Sequence, residues 1–72
     1  MKNCVYRFIN KENEIIYIGK AKDLKSRIKN HNHLTEECYS EVAFIEYATF
    51  DTEYEMDFAE RYYIQNINPK YN

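Results

Sequence analysis

Seventy-two residues cannot hold two cores, so the chain is read as one domain spanning 1–72; its 44% hydrophobic content, with eight tyrosines and four phenylalanines, argues against disorder. Cys4 and Cys38 have no tight metal-ligand spacing and read as two packed free thiols, and no apolar run is long enough for a signal peptide or a membrane span, which places the chain in the cytoplasm and away from membranes. The net charge of −2 conceals a segregation: residues 2–29 hold eight of the ten Lys and Arg against three of the twelve acids, and the other nine acids fall between 36 and 60. A basic part able to grip a phosphate backbone therefore survives the unfavourable total.

Cys4 to Ile9 is rich in β-formers, with Cys4, Tyr6 and Phe8 on one face and Val5, Arg7 and Ile9 on the other, which predicts a first strand. The polar stretch 10–13 reads as a turn, and Glu14 to Ile18 as the second strand of a hairpin that Gly19 ends. No Asn-Gly pair fixes the register. The expected one sets Tyr6 opposite Tyr17, with both hydroxyls on one face; a one-residue slip would separate them.

Asp23 is a suitable N-cap, and Leu24, Arg27, Ile28 and His31 then share one face of a helix, with Lys25 and Lys29 outside. Arg27 would lie with its stem against the sheet and its guanidinium at a rim or cleft. Thr35 is expected to open a short helical turn, and Val42 to Thr49 reads as a third strand. Thr52 and Glu55 form a capping box before a helix through Met56 to Ile64, and Pro69 stops it, leaving 68–72 as an extended tail lying on the fold. Within that helix Glu60 falls in the apolar stripe, while Asp57, Arg61 and Gln65 take the solvated side. A carboxylate on a buried face needs a partner or a metal. Two readings stay open for Glu60: an ion pair with Arg27, or a metal ligand.

The fold class that follows is α+β, three strands completing a small sheet with covering helices. Phosphodiester hydrolysis needs a way to deprotonate water, a cation on the phosphoryl oxygens and stabilisation of the leaving oxygen. Glu60 could anchor one Mg²⁺, which keeps several waters as ligands; Arg27 could bind the phosphate through two donors; Tyr6, Tyr17 or His31 could relay a proton. One carboxylate on a suitable face argues against a two-metal site. His31 and His33, with no third ligand nearby, read as a surface pair, and Gly19-Lys20 lacks the phosphate-loop pattern.

With those residues in place the chain resembles the GIY-YIG nuclease domain. Cys4-Val5-Tyr6 stands where that family has Gly-Ile-Tyr, Tyr17-Ile18-Gly19 matches Tyr-Ile-Gly, and Lys20 follows as it often does. Arg27 stands at the catalytic arginine's distance, His31 where the family places a Tyr or His, Glu60 at the metal-binding glutamate and Asn72 at the closing asparagine. The resemblance implies a small three-stranded antiparallel β-sheet flanked by α-helices, and cleavage of DNA with a single divalent metal, Mg²⁺ or Mn²⁺ in its place, by a GIY-YIG-type endonuclease. By it Glu60 is the metal ligand, Arg27 acts on the phosphate, Tyr6 or Tyr17 serves as base or orienting group, and Lys20 and His31 assist. Lys20, Lys22, Lys25 and Lys29 are the candidate DNA contacts, and Gly19 and Asn72 structural positions. Cys4 departs from the family's glycine. No appended DNA-binding module is evident, although relatives usually depend on one, which leaves a homodimer or a fusion to a separate DNA-binding domain open. The competing reading is a non-catalytic DNA- or protein-binding module that keeps the fold, its acidic half docking a basic partner.

Overall fold

In the computed structural model, which describes residues 2–29 and 34–72, the chain runs β1 (Lys2–Ile9), β2 (Ile15–Asp23), α1 (Leu24–Lys29), α2 (Glu36–Glu41), β3 (Phe44–Thr49) and α3 (Glu53–Ile67). The three strands form one antiparallel sheet in the order β2-β1-β3, so the first strand is central and both its faces are covered. That explains the near-continuous burial of Cys4, Val5, Tyr6, Phe8 and Ile9.

The hairpin register differs from the expected one by two residues. Tyr6 lies opposite Gly19, and Tyr17 opposite Phe8. A shift of two preserves faces, so both tyrosines still project to the same side, their ring centroids 6.1 Å apart. The turn is folded by Asn10, whose buried side-chain oxygen accepts from the backbone N–H groups of Glu12 and Glu14 at 3.1 and 2.8 Å. An Asx-type turn of this kind replaces the missing Asn-Gly signal. A bulge between Phe8 and Ile9 then offsets the ladder. Gly19 does not end β2, which continues to Asp23. β3 begins at Phe44, two residues later than expected.

The helices start where side-chain caps are supplied. Asp23 Oδ1 accepts from the N–H of Lys25 at 3.1 Å, Thr35 Oγ1 from Cys38 at 3.2 Å and Thr52 Oγ1 from Glu55 at 3.1 Å. α3 ends at Asn68, whose left-handed backbone and N–H bond to Ile64 prepare the turn into Pro69. On one face of the sheet Cys4, Tyr6, Phe8, Ile16 and Ala21 pack with Leu24 of α1 and Cys38 of α2. On the other, Val5 and Ile18 pack against Met56 of α3. Cys4 and Cys38 are free and buried. No helix of the described residues is long and apolar enough to cross a membrane.

The C-terminal tail lies along the outer edge of β2. Tyr71 donates its N–H to Ile16 O at 2.9 Å, and the Asn72 amide brackets Ile18: Ile18 N–H donates to Oδ1 and Nδ2 donates to Ile18 O, both at 2.8 Å. One side chain thus stands in for a fourth strand. Asn72→Ala removes both bonds and is expected to lower stability by about 1–3 kcal/mol, read as a fall in the denaturant midpoint. The tail is also held by Tyr71, whose hydroxyl donates to Glu41, and by Lys70, which pairs with the same carboxylate at 3.2 Å.

Candidate active site

Gly19 makes the site geometrically feasible. A Cβ there would lie 2.6 Å from Cζ and from the hydroxyl oxygen of Tyr6, and 2.8 Å from Cε2 of Tyr17. Because Gly19 sits opposite Tyr6 in the ladder, the Tyr6 ring can lean across the bare backbone until its hydroxyl meets that of Tyr17. Tyr6 is 1% exposed.

The two hydroxyls are not equivalent. Burial pushes the Tyr6 hydroxyl well above the usual tyrosine range, the nearby Tyr17 hydroxyl adds to this, and Tyr6 keeps its proton as the donor to Tyr17. Burial also raises Tyr17, but the hydrogen bond it accepts from Tyr6 and the Arg27 charge oppose the shift, while Glu60 reinforces it. Of the pair, Tyr17 carries the more removable proton.

Arg27, on α1, is exposed and lines a 180 Å³ pocket with Tyr6, Phe8, Ile28, Tyr39, Val42 and Ile45. Its position on an otherwise apolar wall is the one its helical periodicity implied. Glu60, on α3, is partly buried and is not among the residues lining that pocket. Burial raises its carboxyl above the usual glutamate range, with the Lys20 charge opposing and Asp57 reinforcing the shift. The expected alternative, an Arg27–Glu60 ion pair, does not form among the described residues, where the ion pairs are Arg7–Glu46, Lys20–Asp57, Lys22–Glu53 and Lys70–Glu41. Arg27 comes from the α1 side of the sheet and Glu60 from the α3 side, and both act on Tyr17.

Asp57 lies on the solvated side of α3, as its periodicity implies, and there accepts from Lys20 Nζ at 2.7 Å, the two side chains being 43% and 45% exposed. It stands three residues before Glu60, so the pair shares one edge of the helix. That spacing was the signal by which Asp57 could have been found. Lys22 likewise pairs with Glu53 at 2.6 Å. The basic and acidic parts segregated along the chain are thus recombined in space, with α3 supplying the acids and β2 the lysines. Lys25 and Lys29 stand exposed on α1. His31 lies outside the described residues.

The donor set fits magnesium. Among the described residues, which include neither histidine, no three Cys, Asp or Glu side chains gather around one point. A single partly buried carboxylate without an ion-pair partner among those residues suits a hard cation that retains most of its water.

A family model described as the UvrC-like GIY-YIG domain matches residues 2–72. This chain belongs to that family. It is 40% identical over 72 residues to UvrABC system protein C of Mycoplasma capricolum, and 40% identical over 72 and 74 residues to the proteins of that name from Borrelia duttonii and Vibrio cholerae. These alignments cover 93%, 93% and 94% of this chain, which spans only 12% of the length of each relative. Among solved structures it is similar to the GIY-YIG N-terminal endonuclease domain of UvrC from Thermotoga maritima bound to magnesium, described there as its catalytic divalent cation. The TM-score is 0.82 and the identity 37%, over 96% of this chain and 81% of that one. As a GIY-YIG domain, the chain keeps Tyr-Ile-Gly at 17–19 and carries Cys4-Val5-Tyr6 in place of the first motif.

Proposed function

We propose that this chain is a magnesium-dependent endonuclease unit that hydrolyses DNA phosphodiester bonds in the cytoplasm, residues 1–72 acting as one domain. The observation that carries the proposal is the meeting of Tyr6 and Tyr17 over Gly19, with Arg27 and Glu60 both acting on Tyr17. The Thermotoga UvrC domain, bound to magnesium, supports the choice of metal, and Mn²⁺ is expected to substitute.

Glu60 would hold the cation through its carboxylate, and the cation when bound would supply positive charge at the scissile phosphate. Arg27 grips a non-bridging phosphoryl oxygen with its guanidinium and stabilises the charge that builds there. Tyr17, ionised, takes the proton of the attacking water as the water oxygen bonds to phosphorus and the scissile P–O bond breaks, the leaving oxygen taking a proton from solvent. Tyr6, whose hydroxyl keeps its own proton, orients Tyr17 by donating to it. Lys20, held by Asp57, contributes charge beside Glu60 and restrains the upward shift of its carboxyl. Lys25 and Lys29 contact flanking phosphates, Lys22 follows the same edge, and His31 assists at the phosphate.

Burial raises Tyr17, so the deprotonated base grows as pH rises through neutrality toward the alkaline range. Cleavage is accordingly expected to climb with pH. In a single-turnover assay on branched, nicked and linear DNA, Tyr17→Phe should remove that climb and slow cutting by roughly 10²–10⁴-fold. Tyr6→Phe should slow cutting less and leave the climb in place. If Tyr17→Phe cuts with the parent's rate and pH profile, Tyr17 is not the base.

The docking of a basic partner on the acidic part is weakened by the ion pairs that β2 lysines already make with Asp57 and Glu53.

A further inference from the structure

The fold treats the two edges of its sheet differently. The outer edge of β2 is closed by the tail, through the bonds of Tyr71 to Ile16 and of Asn72 to Ile18. β3 pairs with β1 alone among the described residues, and every one of its residues is exposed, Phe44 by 60% and Tyr47 by 51%. Antiparallel neighbours alternate between pairs that exchange hydrogen bonds and pairs that do not. The Phe50 N–H donates to Asn3 O at 2.9 Å, which makes Ala48 and Val5, then Glu46 and Arg7, the bonded pairs of this ladder. The main-chain groups of Ile45, Tyr47 and Thr49 therefore point away from the sheet.

The usual protections of such an edge are absent from β3. It contains no lysine and no proline, and its ladder with β1 runs without a bulge. Its single charge, Glu46, is neutralised within the chain by Arg7, whose Nε donates to Oε1 at 2.7 Å. On the α3 side the strand borders a 540 Å³ groove whose walls include Val5, Ala48, Tyr63 and Ile67.

We propose that this edge is a self-association surface on which a second copy of the chain pairs its own β3, antiparallel, about a twofold axis at Tyr47. Centred there, Tyr47 faces its own image and Ile45 faces Thr49 of the second copy, so the outward groups of all three residues are used. Glu46 then falls opposite Ala48 of the second copy. Centring on Glu46 would set two carboxylates face to face and leave Thr49 unpaired. That match selects an inverted copy as the occupant: the register with the most hydrogen bonds is also the one that keeps the strand's only charge away from its image. β2 lies on the far side of β1, so Tyr17 and Gly19 stay toward the outer ends of a six-stranded sheet, while the Arg27 pocket, one wall of which is Ile45, lies nearer the seam. A six-residue edge is short against the ~1,600 Å² of a standard interface, so the dimer forms at micromolar concentrations or above, with Kd of about 1 µM or weaker.

Sedimentation of the whole chain over a concentration series tests this. The mass is expected to rise from monomer to dimer. Tyr47→Lys should shift the midpoint at least about tenfold to higher concentration while leaving far-UV circular dichroism and the melting temperature unchanged. Phe58→Lys, on the exposed outer stripe of α3, should leave the midpoint where it is. Independently of any variant, amide exchange in the parent should slow at Ile45, Tyr47 and Thr49 as concentration rises. A parent that stays monomeric throughout, association lost in Phe58→Lys but kept in Tyr47→Lys, or unchanged exchange at those three amides would each overturn the proposal.

Discussion

Glu60→Gln is expected to slow magnesium-dependent cleavage by roughly 10²–10³-fold while leaving the melting temperature unchanged or raised. The two readouts must diverge for a physical reason. Burial raises the Glu60 carboxyl above its unfolded value, so the fold prefers the neutral form. The ionised carboxylate is therefore a burden on stability at pH above the raised value, and the burden is relieved as pH falls through it. Glutamine, which is always neutral, carries no such burden, and the difference in melting temperature between variant and parent should close on acidification. Magnesium binding needs the ionised form, so it should be lost, as pH falls, above the range in which an ordinary glutamate would lose it. An Arg27–Glu60 ion pair would have given the opposite stability result, since removing one partner of such a pair leaves the other uncompensated.

The second large effect is expected from the smallest change. Gly19→Ala places a methyl group 2.6 Å from two atoms of Tyr6 and 2.8 Å from one of Tyr17. Neither backbone strain nor a left-handed conformation is involved, because Gly19 has no positive φ. The cost is overpacking, about 1–3 kcal/mol, since Tyr6 is buried in one cluster with Cys4, Phe8 and Leu24. The relief available is rotation of the Tyr17 ring, which breaks the contact between the hydroxyls. Cleavage should thus fall by at least about tenfold at temperatures where the variant is fully folded, because a displacement of this size disorders reacting groups. Unfolding by denaturant and single-turnover cleavage separate the two losses. A variant that is destabilised but cuts normally would show that Gly19 matters only for packing.

Most of the architecture was legible because strong local signals agreed. The alternation in β1, the Thr52 cap with Glu55, and the Asn68-Pro69 stop each specify one conformation, and the structure adopts all three. The hairpin register was not legible. It depends on Asn10 gathering two backbone N–H groups, and a lone asparagine in a polar turn does not announce that role. Either register builds the same site, because a shift of two residues leaves faces unchanged.

The extent of β2 is hidden in the sequence because a glycine reads as a terminator, whereas here it makes room for a cross-strand ring. Charge was the least legible property of all. The lysines of β2 and the acids of α3 are thirty or more residues apart along the chain and become partners only through packing across Ile18 and Met56. Asp57 is solvent-exposed as periodicity implies, but its pairing with Lys20 comes only from that packing.

The most direct measurement is a single-turnover cleavage cycle on DNA with Mg²⁺, using the parent, Glu60→Gln, Tyr17→Phe and the double variant. If the three segments close onto one reacting centre, the parent cuts and is stopped by chelation, each single variant is slow, and the double variant is about as slow as the slower single. Uncut DNA with the parent, or losses that multiply in the double variant as independent sites would, contradict a single metal-dependent centre.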